Sequence, residues 1–161
     1  MPKRPWNIPS LPVYSLATID QNGIANFNMC SYVTAISLKP KLFAIAVYEG
    51  TKTLENLLNL NQNPNLILLS ESNINLFNLL GKTTGSNKNK QAILTRKHED
   101  LHDFNGIPVI HSANSVMNLE VQSHSKQGDH HLFIMKLVSY KHLSNASPLY
   151  TKHLIDKGLI L

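Results

Sequence analysis

Gln21-Asn22-Gly23-Ile24-Ala25-Asn26-Phe27-Asn28-Met29-Cys30-Ser31-Tyr32-Val33-Thr34-Ala35-Ile36-Ser37-Leu38 holds no charged residue. Its Phe, Val, Tyr and Thr favour extended chain, so residues 24–37 are predicted to run as strand. At a period of two, Ala25, Phe27, Met29, Ser31, Val33 and Ala35 share one face, an apolar set broken by one hydroxyl. The opposite face carries Asn26, Asn28, Cys30, Tyr32 and Thr34, polar but without the Lys or Glu of a solvated strand. Such a face suits a flat ligand with many hydrogen-bonding groups, or a subunit interface; a strand polar by chance has the same letters.

Upstream, residues 13–19 read as a strand closed by Asp20-Gln21-Asn22-Gly23, which supplies turn chemistry and a positive-φ position. Downstream, Pro40 ends the extended run. Residues 42–48 follow, apolar at both parities, which predicts a strand covered on each side. Beyond Gly50 the period changes: Leu54, Leu57 and Leu58 fall at helical spacing behind Thr51-Lys52-Thr53, with either threonine as N-cap and Pro64 marking the end. Residues 66–69 read as strand, 74–80 as a short helix, 81–91 as a loop and 92–104 as a surface helix. Strands at 108–111, 116–123 and 131–140 complete the pattern, the last two split by a turn around Gln127-Gly128. Strands in series with a few short helices inserted mid-chain predict a mainly β protein, a closed antiparallel barrel rather than a doubly wound sheet.

The 161 residues make one domain, 1–161, with 42% hydrophobic and 16% charged residues. Fifteen Lys+Arg against ten Asp+Glu leave +5, which favours anionic partners. A single cysteine, Cys30, excludes an intrachain disulfide and a Cys-based zinc finger. The basic opening Met1-Pro2-Lys3-Arg4 has no apolar region behind it, and the longest apolar run, residues 42–47, is far too short to cross a membrane. A cytoplasmic protein without membrane contact is therefore expected.

Two motifs fail on their surroundings and a third stays open. His98-Glu99-Asp100-Leu101-His102 fits H-E-x-x-H, but Arg96, Lys97 and Asp103 leave it polar on nearly every side, so a solvated helix is expected and no metal site. Gly81-Lys82-Thr83 resembles the end of a P-loop, yet Leu76 stands where the leading Gly belongs. Lys82, Lys88, Lys90, Arg96 and Lys97 form an acid-free basic stretch, readable as a solvated loop or a phosphate clamp. It has no interleaved aromatics, so nucleic acid is not expected as a partner.

Thr51-Lys52-Thr53 offers two hydroxyls, an ammonium and the free N–H groups of a helix start, a plausible phosphate site. A flat uncharged platform beside a phosphate site is what FMN requires. Gly23, residues 28–40 and Thr51-Lys52-Thr53-Leu54-Glu55-Asn56 also resemble the flavin reductase-like, FMN-binding split-barrel family, which carries "S-L-x-P-P" and "K-T/D-T-x-x-N". Gly81-Lys82-Thr83-Thr84-Gly85 with Lys90, Gly128-Asp129-His130 and Pro148-Leu149-Tyr150 are similar to later motifs of that family, in the same order. The chain departs from the pattern at Lys41, usually Pro, at Met135, often Gly, and at His131, a second imidazole beside His130.

The resemblance implies a Greek-key-like, homodimeric split barrel binding FMN near the subunit interface. Asn28, Met29, Cys30, Ser31 and Tyr32 would line the isoalloxazine edge, mainly through main-chain groups. Ser37, Thr51, Lys52 and Thr53 would serve the ribityl phosphate, and His130 would lie near the flavin or nicotinamide as the catalytic-site residue. The implied reaction is hydride transfer from NAD(P)H to flavin N5, where the cofactor supplies the chemistry and the protein its placement. Reduced flavin would then serve a partner monooxygenase. Two alternatives remain: a flavoredoxin-like electron carrier holding FMN and serving an electron-transfer protein, or a binding module that has lost the cofactor.

Overall fold

The computed structural model describes residues 4–161; the Met1–Lys3 part of the basic opening lies outside them. Nine strands form, β1 (Tyr14–Ile19), β2 (Ala25–Phe27), β3 (Val33–Ser37), β4 (Leu42–Tyr48), β5 (Asn65–Leu68), β6 (Leu101–Phe104), β7 (Ile107–Ile110), β8 (Ser115–Gln127) and β9 (His130–His142). Helices α1 (Lys52–Leu58), α2 (Lys90–Arg96) and α3 (Thr151–Asp156) are short. All strand pairs are antiparallel, in a seven-stranded sheet ordered β2-β1-β5-β8-β9-β4-β3 and a separate β6–β7 hairpin.

The two edges of that sheet, β2 and β3, are consecutive in the chain. This closes the barrel. Ala25–Phe27 pair with β1, and Val33–Ser37 pair with β4, so the single extended run of 24–37 becomes two strands serving opposite edges. Between them the chain crosses the split. Asn28 Oδ1 takes the Leu16 N–H at 2.7 Å, where a ladder carbonyl would otherwise stand. Cys30 exchanges both main-chain bonds with Tyr14 at 2.8 Å, and the Tyr32 carbonyl accepts from Ala46 N–H at 2.9 Å. No uninterrupted strand can follow two edges that diverge, which is why the expected strand breaks here.

The barrel interior is filled by Leu16, Ile45, Leu66, Leu119, Phe133 and Met135 among others. A second core lies outside β1 and β5, where Val13, Ala17, Ile67 and Leu69 pack under the helical segments and the β6–β7 hairpin. Strands β1 and β5 are thus the ones covered on both faces. The expectation for β4 is corrected: Phe43, Ile45 and Val47 are buried, but Leu42, Ala44 and Ala46 are only half-buried because no layer of this chain lies over them. Ile36, Leu38 and Val138 on the neighbouring strands and turn are exposed around that face.

The surface helix expected at 92–104 is also corrected. Helix α2 starts under an Asn89 cap to Ala92 N–H and stops at Arg96; His98 adopts φ 61°, and residues 101–104 become β6. Asn105 and Gly106, at φ 53° and 83°, make the two-residue turn into β7. The H-E-x-x-H run therefore lies wholly beyond the helix, His98 in the turn that ends it and His102 on β6. Helix α1 ends at Leu58, several residues before Pro64, and strands β8 and β9 run to thirteen residues each, longer than expected. No helix is long and apolar enough to cross a membrane among the described residues.

Candidate functional site

The split in the barrel opens into a cavity of ≈ 510 Å³, within the range of about 300–1,000 Å³ that holds small molecules. The crossing segment 28–32 forms one wall, residues 46–53 a second, and residues 80–85, the end of a helical turn over Asn78–Lys82 and the chain after it, a third, with His130 at the rim. Asn28, Met29, Cys30, Ser31, Tyr32, Thr51, Lys52, Thr53 and His130 all line it. Ser37 does not: it sits at the end of β3 opposite Leu42, outside the lining.

Each wall is built for a local reason. Thr51 caps α1, its Oγ1 accepting from Leu54 N–H at 3.2 Å and donating to the Tyr48 carbonyl at 2.8 Å. Thr53 is buried and its Oγ1 accepts from Asn26 Nδ2 at 3.1 Å. That bond orients the Asn26 amide and leaves Oδ1, buried in the same wall, without a partner. An unpaired buried acceptor costs about 1–3 kcal/mol, and Gly85 packs directly over this one. Lys52 Nζ lies 2.8 Å from Glu55 Oε1, so an anion at this corner competes with that carboxylate. With seven residues, α1 adds little field of its own, and the Thr51 hydroxyl proton is already given to the Tyr48 carbonyl, so Lys52 is the charged donor of this corner.

On the platform, Cys30 N–H and carbonyl are engaged by Tyr14, whereas Met29 and Ser31 main-chain groups make no hydrogen bond among the described residues. Desolvation pushes the Cys30 thiol up to about 12, so it stays neutral and acts as packing rather than as a nucleophile. At the rim, the His130 ring lies between Tyr32 and Tyr48, with centroids 5.4 and 5.2 Å away, and its Nδ1 is 2.6 Å from Asp129 Oδ1. The Glu49 N–H to Asp129 carbonyl bond, 3.0 Å, ties the β8–β9 turn to the cavity and so delivers His130 there.

The flavin reductase-like domain model matches residues 9–154. The chain belongs to that family. No curated protein sequence matches significantly. Among solved structures, the flavin reductase PheA2 in its native state superposes with a TM-score of 0.73 at 21% identity, covering 93% of each chain. The styrene monooxygenase flavin reductase of Pseudomonas putida S12 gives 0.72 at 20% identity over 88% of this chain and 85% of that one. Flavoredoxin from Methanosarcina acetivorans gives 0.74 at 15% identity over 92% and 81%. This chain spans 48% of the length of a Sinorhizobium meliloti 1021 structure that it matches with a TM-score of 0.76 at 16% identity, over 90% of its own length. These identities speak for the fold, the split barrel; the family match bears out the flavin-binding, reductase-type reading.

In this flavin reductase-like chain, several lining residues escape sequence reasoning. Asn26 was assigned to the right face but to no role. Residues 80–85 bring Lys82, Thr83 and Thr84 to the cavity; of the basic stretch only Lys82 and Lys90 line it, while Lys88, Arg96 and Lys97 do not. Lys90 is buried, and its Nζ donates to the carbonyls of Phe27 at 2.8 Å and Leu80 at 3.2 Å, fastening the end of β2 to the loop. Burial lowers its pKa to about 8. A lysine in an Asn/Ser-rich loop signals solvent exposure; only the fold takes it inside.

Proposed function

We propose that the cavity binds FMN and that the chain is an NAD(P)H-dependent flavin reductase, working as a homodimer and passing reduced flavin to a partner monooxygenase. The observation that carries this reading is the single cavity joining an uncharged platform to a cationic, hydroxyl-bearing corner through the unpartnered Asn26 Oδ1. Met29 and Ser31 main-chain groups meet the polar edge of the isoalloxazine ring. Asn26 Oδ1 accepts from a ribityl hydroxyl. Lys52, Thr51, Thr53 and the 82–84 loop hold the phosphate. FMN, when bound, supplies the hydride-accepting ring.

His130, braced by Asp129 and two tyrosines at the rim, packs beside the nicotinamide and excludes water from that side. The half-buried face of β4, adjoining Tyr48 and continuous with exposed Ile36 and Val138, takes the second copy of the chain. Support for the partner comes from the similarity to a styrene monooxygenase flavin reductase.

The test is spectroscopic. Purified protein titrated with FMN should show saturable quenching of flavin fluorescence at micromolar concentration, and rapid mixing with NADH or NADPH should bleach the flavin band. Flavin that binds but stays oxidised with both nucleotides makes the chain an electron carrier. Failure to bind FMN overturns the proposal.

A further inference from the structure

A second cluster lies away from the flavin cavity, at the open end of the β6–β7 hairpin. The bond from His111 N–H to the Asp100 carbonyl, 2.9 Å, extends the ladder one rung beyond Leu101↔Ile110. Alternation then puts Asp100 and His102 on one face and His111 on the same face across the hairpin. Asp100 Oδ2 is 3.0 Å from His102 Nε2, and the His102 and His111 rings stack with centroids 3.8 Å apart and planes 22° from parallel. One ligand atom from each residue lies within 4.8 Å of the others. His111 Nδ1 is buried with no hydrogen-bond partner.

We propose that Asp100, His102 and His111 bind a divalent first-row transition ion of the Zn²⁺ class, with solvent completing the coordination. Two imidazoles and a carboxylate are the nitrogen and oxygen donors such ions take at about 2.0–2.2 Å, with ligand atoms roughly 3.4 Å apart in a tetrahedron. Small side-chain rotations of the exposed Asp100 and His102 close the remaining gap. Stacked imidazoles do not hydrogen-bond each other and would repel if both were charged; a shared ion supplies what holds them together. His98, the other imidazole of the H-E-x-x-H run, takes no part, since its φ of 61° places it in the turn after α2. The ion would clamp the hairpin's open end, where the chain arrives from α2 and leaves β7.

Co²⁺ added to the full-length protein should give a saturable visible d–d spectrum at one ion per chain, displaced by Zn²⁺. Zn²⁺ alone should raise the melting temperature. His102→Ala and His111→Ala should each weaken Co²⁺ binding at least tenfold and abolish the thermal shift, while His142→Gln leaves both intact. His102 is exposed, so His102→Ala keeps the test decisive if His111→Ala does not fold, with far-UV circular dichroism as the check. Absence of saturable binding up to millimolar Co²⁺, or binding unchanged in His102→Ala, overturns the proposal.

Discussion

Lys52 and Lys90 both line the cavity in the barrel split, yet their surroundings give them different work. Lys52 is paired with Glu55 at the corner and is available to an anion. Lys52→Ala should weaken FMN about tenfold or more, the worth of roughly 1.5–3 kcal/mol for a charged hydrogen bond, with little change for riboflavin. Parallel fluorescence titrations with the two flavins check it, and equal losses would remove the phosphate from this corner. Lys90 is internal, and its pKa of about 8 lies below the ordinary 10.5. The unfolded chain therefore binds more protons than the folded one between those values, so this group makes stability rise with pH across that window. Urea unfolding at pH 8 and pH 10.5 should show wild type gaining relative to Lys90→Met, by up to about 3 kcal/mol. A parallel change in both proteins would mean that Lys90 does not titrate with folding.

Among elements, the 83–85 stretch that follows the helical turn Asn78–Lys82 is placed by contact with the platform. A Cβ on Gly85 would stand 1.9 Å from Asn26 Oδ1 and 3.1 Å from Lys52 Cβ. Gly85→Ala should push this end of the segment off the platform and weaken FMN about tenfold, while the melting temperature changes little because Gly85 itself belongs to neither core. Isothermal titration and a thermal melt separate the two effects. Strands such as β1, β4 and β5 were legible because β-branched and aromatic residues cluster between turn residues, and the Asp20–Gly23 turn announces itself: Asp20 Oδ1 accepts from Asn22 and Ile24 N–H, and Gly23 takes φ 77°. Residues 92–104 were not, because helical spacing at Ile93, Leu94 and Leu101 gave no hint of the left-handed break at His98. The split of 24–37 into β2 and β3 was hidden for a related reason: propensity is continuous through Asn28–Tyr32, and only pairing with two separate neighbours interrupts it.

At the scale of the molecule, the apolar outer face of β4 decides what the chain does with its surface. Val138 is exposed on β9, and Ile36 is exposed next to the end of β3. A charge there faces the second copy across the proposed interface, so Val138→Lys should shift the protein from dimer to monomer in light scattering. A wild type that is monomeric at micromolar concentration would overturn the proposed homodimer, and a Val138→Lys variant that stays dimeric would place the interface elsewhere. By itself the sequence determined the class of fold, the uncharged platform, the threonine-lysine corner and the imidazole at Gly128-Asp129-His130, because alternation, turn chemistry and short spacings are local properties of the chain. Tertiary structure alone decided that β1 and β5 lie between two cores, that Lys90 is internal, that Ser37 lies outside the cavity, and that Asp100, His102 and His111 meet. Each of these depends on which strands pair and in what register, and a pairing brings together residues whose separation along the chain carries no trace of their contact.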